Sequence, residues 1–149
     1  MREENLFFKK TRSRLDSEQG QFLFPDMTLE EYLAVGLVRT ASSWVRRIVQ
    51  DTPQPGERKY LLVGRFAGHR ISELVSDTIS RGWKNPTITE LVSFATDHPD
   101  HGAPIVALTP QDVGGGADTE WVPVMVGDLL EMWPTSHILP TGASVLYVQ

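Results

Sequence analysis

The feature that most constrains the fold is a change of hydrophobic period near Pro99. Before it, apolar residues recur at three- and four-residue steps, the spacing that lines one face of a helix. After it, short apolar runs separated by glycine and proline are typical of strands. The sequence therefore predicts an α+β fold, in which a helix-rich N-terminal half packs on a small, mainly antiparallel sheet from the C-terminal half.

Residues 28–50 carry the clearest helical pattern. Thr28 and Glu31 match a capping box, in which each side chain satisfies a backbone N–H at the start of a helix. One apolar stripe then follows: Leu29, Leu33, Leu37, Ala41, Trp44, Val45 and Ile48. Two shorter helices are predicted where the pattern of residues 71–76 recurs at residues 88–93, and both are expected to pack on one sheet.

Four short apolar segments predict strands, at residues 60–63, 104–108, 121–126 and 143–148. Proline cannot donate a ladder hydrogen bond, so Pro123 predicts that its strand lies at an edge or contains a bulge. Residues 127–133 are predicted to form a short helix that ends before Pro134.

The size of the chain fits one folded domain. It has 149 residues, of which 40% are hydrophobic, enough to build a core. We predict a single α+β domain at residues 27–149, preceded by an arm at residues 1–26 that mixes aromatic and cationic side chains.

Several classes of protein are disfavoured by composition. The chain contains no cysteine, which excludes disulfides, thiolate metal ligands and cysteine nucleophiles. It shows neither the apolar stretch of a secretory signal nor the roughly 18 apolar residues that a membrane span needs. We expect a soluble cytoplasmic protein, or one carried inside a virus particle, that does not bind membranes.

Charge is distributed unevenly along the chain. Residues 85–149 contain eight carboxylates and no lysine or arginine, whereas residues 1–84 contain all fourteen cations and eleven carboxylates. This asymmetry predicts that anionic partners meet the first half and cationic partners the second. The candidate partner- or nucleic-acid-binding residues are Lys9, Lys10, Arg12, Arg14, Arg39, Arg46 and Arg47.

The densest group of potential metal ligands is Asp97, His98, Asp100 and His101. Imidazole and carboxylate groups suit zinc, manganese or iron, so a divalent metal site is one hypothesis for this segment. Residues 98–101 resemble the second half of the H-x-H-x-D-H motif of metallo-β-lactamase-fold hydrolases. Thr96 stands where the first histidine of that motif would be, and the chain is too short for that fold, so we do not assign the family.

Three functions are consistent with these patterns. The favoured one is a non-catalytic interaction or assembly protein that associates with itself or with a protein partner through charge-polarised surfaces, in a viral or regulatory setting. Trp121 and Trp133 are candidate anchors for such contacts. The alternatives are non-specific nucleic-acid binding through residues 7–14, and a small metal-dependent hydrolase that uses the histidine cluster. The favoured function requires no cofactor.

Overall fold

The computed structural model describes residues 17–40, 54–76, 82–99, 103–112 and 120–149. Within these ranges three helices occur: α1 (Leu29–Ala34), α2 (Ile71–Ser76) and α3 (Ile88–Asp97). The strands are β1 (Ser17–Phe24), β2 (Arg39–Thr40), β3 (Gly56–Val63), β4 (Ile105–Val106), β5 (Gln111–Asp112), β6 (Glu120–Val126), β7 (Leu129–Pro134) and β8 (Ser144–Val148).

The strands form one mixed sheet in the order β1-β3-β8-β4-β6-β7-β2, with β5 beside β6. The β2–β7 and β4–β8 pairs are parallel, and the other pairs are antiparallel. The predicted division into a helix-rich half and a small C-terminal sheet is therefore wrong. The first half contributes β1, β2 and β3, and its helices are short.

The sheet is covered on both faces. One apolar cluster joins α1 and α3 to side chains such as Phe22, Leu62 and Leu146. A second cluster on the opposite face joins α2 to Val63 and Val145. Strand β8 is central and buried along its whole length, which explains its nearly continuous apolar sequence. The two helices predicted from the repeated pattern are confirmed, but they pack on opposite faces of the sheet.

Within residues 28–40, the described part of the helix predicted over residues 28–50, the prediction is wrong beyond the first turns. The capping box is present, yet α1 ends at Ala34. Gly36 has a φ of +80°. Its N–H donates to the carbonyl of Leu33, and the N–H of Leu37 donates to the carbonyl of Tyr32. These two bonds form a Schellman motif, which ends the helix, and β2 follows. Residues 41–50 of the predicted helix lie outside the described part of the chain.

The predicted helix over residues 127–133 is strand β7 instead. Val126 and Leu129 are paired, so Gly127 and Asp128 form a two-residue hairpin turn. Gly127 has a φ of +61°, as such turns require.

Pro123 lies in β6 between β4 and β7, not at an edge. Its carbonyl accepts a hydrogen bond from the N–H of Ala107, but proline has no N–H to return the bond. The pairing of β4 with β6 accordingly ends at Val106, which shortens the strand predicted at residues 104–108.

The strand predicted at residues 60–63 is confirmed as the end of β3, and that at residues 143–148 is confirmed as β8. No helix in the described ranges is both long and apolar enough to cross a membrane. Of the predicted arm, residues 1–16 lie outside the description, and residues 17–24 are β1.

Candidate interaction surfaces

One histidine of the predicted metal cluster, His98, lies in the described part of the chain, and it caps a helix. His98 follows α3, and its Nδ1 lies 3.0 Å from the carbonyl oxygen of Phe94. Its ring stacks on that of Phe94 at 4.2 Å and meets the edge of Tyr60. Asp97 is exposed, and Asp100 and His101 lie outside the described residues. Among the residues described, no group of three or more histidine and acidic side chains is placed to hold a metal ion.

Arg39 is the one predicted cationic site residue that the structure describes. Its guanidinium donates two hydrogen bonds to the Asp128 carboxylate, at 2.8 and 3.0 Å. These bonds raise the pKa of Arg39 and lower that of Asp128. Both groups are exposed, so the pair adds little to stability. The other predicted residues lie outside the description: Lys9, Lys10, Arg12, Arg14, Arg46 and Arg47.

A second ion pair, between Arg58 and Glu90, is buried. Nε of Arg58 lies 2.8 Å from Oε2 of Glu90, and the two side chains are 16% and 6% exposed. The arginine also bonds to the carbonyl of Gln54 and lies 5.2 Å from the ring centroid of Phe24. The other carboxylate oxygen of Glu90 accepts the N–H of Thr87 in the capping box of α3. This pair therefore fixes the start of α3 against β3, which sequence reasoning missed.

The buried pair lies in a polar cleft of about 460 Å³. Its lining residues are Gln54, Glu57, Arg58, Lys84, Asn85, Thr87, Glu90 and Gln149. The charged groups among them comprise two cations and two carboxylates, so the cleft has no net charge to select an ionic ligand.

These two pairs connect the cation-rich first half to the acidic second half. Arg39 is 89 residues from Asp128, and Arg58 is 32 residues from Glu90. Charge that is segregated in the sequence is thus partly neutralised in space.

The two predicted tryptophan anchors are only partly exposed. Trp121 packs against the core on the α1/α3 side, and its buried Nε1 has no hydrogen-bond partner among the described residues. Nε1 of Trp133 donates to Glu131 at 3.1 Å, and its ring lies 4.8 Å from that of His137. Neither ring projects as a free anchor.

An acidic surface surrounds a groove beside α1. The groove has a volume of about 250 Å³ and is lined by Leu37, Thr96, Pro99, Met125, Gly127 and Asp128. Leu37 is 47% exposed, and Val35, at the end of α1, is 64% exposed. Asp97 ends α3 and lies between Thr96 and Pro99, two of the residues that line the groove. We define the acidic surface as the groove residues Leu37 and Asp128, the adjoining Asp97, and the exposed Glu30, Glu31 and Val35 of α1 and its C-cap.

A basic surface lies where the loop after β3 meets the loop after β7. The backbone of Arg70 pairs with that of exposed Ile138, and the guanidinium of Arg65 lies 5.4 Å from the ring centroid of Phe66. The ring of His69 also contacts Phe66, at 6.2 Å. The basic surface comprises Arg65, Phe66, His69, Arg70, His137 and Ile138. Two carboxylates lie beside it: Glu73 is 3.8 Å from His69, and Glu131 accepts a hydrogen bond from Nε1 of Trp133, whose ring packs on His137.

The two surfaces lie on opposite faces of the sheet. Tyr32 and Leu33 pack into the cluster under α1 and α3, whereas Phe66 packs into the cluster under α2. Each surface combines exposed apolar side chains with exposed charges, which are carboxylates on the acidic surface and arginines on the basic surface. Sequence reasoning missed both, because each joins residues that are distant along the chain.

Comparisons of the chain with protein-family models, with curated proteins and with solved structures gave no match. Function is therefore argued from the residues and their geometry.

Proposed function

We propose that this protein is a non-catalytic assembly protein whose copies associate head to tail. In this arrangement the basic surface of one copy contacts the acidic surface of the next. The observation that carries the proposal is the presence, on opposite faces of one sheet, of two exposed apolar patches with opposite charge.

Ile138 supports this arrangement as an apolar projection. Its side chain is 52% exposed, whereas the groove beside Leu37 is a recess of about 250 Å³. Inserting Ile138 of one copy into the groove of another would remove the exposed part of both side chains from water. Complete burial of such a side chain contributes about 1.5–3 kcal/mol, so covering the exposed half contributes roughly 1 kcal/mol.

Charge complementarity supports the same pairing. The four carboxylates of the acidic surface, offset by Arg39, leave a charge of −3. The two arginines of the basic surface are exposed, and the neighbouring carboxylates Glu73 and Glu131 lie against His69 and Trp133. Opposite charges favour encounter in the correct orientation, and like surfaces repel one another. Because these charges are exposed, salt weakens the contact.

The geometry also sets the kind of assembly. A contact between two different surfaces leaves one of each free on every dimer, so further copies add until a ring closes or a filament grows.

Sedimentation velocity across a salt series tests the proposal. We expect assemblies larger than a dimer at low salt, which break down as salt rises. Ile138→Asp removes the apolar projection and adds a like charge facing the acidic surface, so it should prevent this growth at low salt. Gln54→Asp, an exposed substitution outside both surfaces, is the control and should assemble normally. A size distribution that is independent of salt and unchanged by Ile138→Asp would rule the proposal out.

A further inference from the structure

Strand β1 is an edge strand of the sheet as far as the chain is described. It pairs with β3 through eight consecutive residue pairs, from Ser17 with Val63 to Phe24 with Gly56. No strand in the described ranges pairs with the other side of residues 18–24. At the opposite edge is β2, of which two residues are described.

Edge strands usually carry features that prevent further pairing, such as lysine, proline, a bulge or short length. Residues 17–24 contain no lysine, arginine or proline, and their register with β3 has no bulge. Glu18 is the single charged residue in β1, and its carboxylate accepts a hydrogen bond from the hydroxyl of Tyr60 at 2.6 Å. Leu23 is 64% exposed, which adds an apolar side chain to this edge.

We propose that the outer edge of β1 pairs with β1 of a second copy, antiparallel and across a two-fold axis. A second copy is favoured over an unrelated peptide because one symmetric contact closes both open edges at once. The low charge of the strand removes the repulsion that normally keeps identical edges apart. The paired strands would join two sheets into one, with Gln19, Gln21 and Leu23 of both copies on a common face.

This contact does not depend on the proposed head-to-tail assembly. Neither charged surface includes a residue of β1, and Asp128 of the acidic surface precedes β7, which lies towards the other edge of the sheet. Backbone hydrogen bonds across a strand pair carry no net charge, so salt should not dissociate it.

Light scattering at high salt tests this dimer, because the charged surfaces are screened there. We expect twice the chain mass of 16.7 kDa. High salt would also screen repulsion between introduced lysines, so the double variant Gln19→Lys/Leu23→Lys is measured at low salt in the Ile138→Asp background, where head-to-tail growth is prevented. It should be monomeric there, whereas Ile138→Asp alone should remain dimeric. Leu23 lies opposite Glu57 in β3, so a lysine at this position gains an opposite charge within its own chain and does not oppose folding. Gln54→Lys is the control and should remain dimeric.

Hydrogen exchange supplies a second measurement. In an isolated antiparallel pair, alternate amides of an edge strand point away from the partner strand and exchange quickly. In the proposed dimer the outward amides of β1 should also be protected, and the double variant should lose only this protection. The inward amides, bonded to β3, report that the variant is folded. A wild-type monomer at high salt, or fast exchange of the outward β1 amides in the dimer, would overturn the proposal. Loss of the larger assemblies with retention of the dimer would refute the head-to-tail contact alone.

Discussion

Arg58 and Glu90 form the buried link between the start of β3 and the first turn of α3, with 2.8 Å between Nε and Oε2. Glu73 occupies the matching position in α2. Its carboxylate accepts a hydrogen bond from the N–H of Arg70, just as the Glu90 carboxylate accepts one from the N–H of Thr87. The Glu73 side chain is 63% exposed, whereas that of Glu90 is 6% exposed. The same local pattern therefore carries a structural ion pair in one helix and a solvated cap in the other.

Glu90→Gln should destabilise the protein by about 3 kcal/mol, since it leaves the guanidinium of Arg58 buried without its counter-charge. The amide oxygen of the glutamine retains an acceptor for the N–H of Thr87, so the loss reports mainly on the ion pair. Glu73→Gln is the matched control and should change the free energy of unfolding by less than about 0.5 kcal/mol. Urea denaturation measures both. Equal losses in the two variants would show that capping, and not the buried pair, is responsible.

Tyr60 should make stability depend on alkaline pH. Its burial raises the pKa of the hydroxyl from 10.0 to about 12, and the Glu18 carboxylate and the charge of Asp97 act in the same direction. The unfolded chain loses this proton near pH 10, while the folded chain keeps it. The stabilisation is therefore complete below pH 10 and is lost as the pH rises through about 12. Denaturant titrations of wild type and Tyr60→Phe should converge over this interval. A difference between the two that is independent of pH would contradict the assigned pKa.

Gly20 is required by close packing and not by an unusual backbone angle. A Cβ at this position would lie 2.8 Å from atoms of the Tyr60 ring. Gly20→Ala should therefore cost about 1–3 kcal/mol, because the ring is buried and cannot move away freely. Gln21→Ala, at the next and exposed position of β1, should cost less than about 0.5 kcal/mol. Thermal unfolding of the two variants checks the difference, and equal melting temperatures would exclude the packing explanation.

Local signals in the sequence were sufficient for the starts of the helices. The side chains of both capping boxes bond to backbone three residues away, so T-x-x-E is readable without knowledge of tertiary structure. The ends of elements failed where a single glycine outweighed periodicity. Gly36 interrupts the helical stripe through a positive φ, and Gly127 turns an apparent helix into a hairpin. Both glycines permit a positive φ, but the spacing of the neighbouring apolar residues is that of a helix, so periodicity alone predicts the wrong element.

Long-range pairing was not readable from the sequence. One face of β1 is buried because α3 packs on it, and its alternation of exposed and buried side chains is confined to residues 21–24, so in the sequence it resembles an arm. The candidate surfaces are a stronger example. Arg70 and Ile138 are neighbours only because two loops meet, and Leu37 shares a groove with Thr96 and Pro99 only because α3 packs beside α1. The charge asymmetry along the sequence predicts contacts between opposite charges. It does not predict which charges stay unpaired, because Arg39 and Arg58 form ion pairs with carboxylates of the second half.

The head-to-tail contact is tested most directly by mixing two charge-reversed variants at low salt. Arg65→Glu/Arg70→Glu makes the basic surface acidic, and Glu30→Lys/Asp97→Lys reverses charge on the acidic surface. Each variant alone presents two surfaces of like charge, so neither should form assemblies larger than the β1-paired dimer. In a mixture, each altered surface faces a complementary one on the other variant, and alternating assembly should return. Recovery of large assemblies in the mixture, measured by sedimentation velocity, is the predicted result. Assembly of either variant alone, or a mixture that sediments as the sum of its components, would contradict the account.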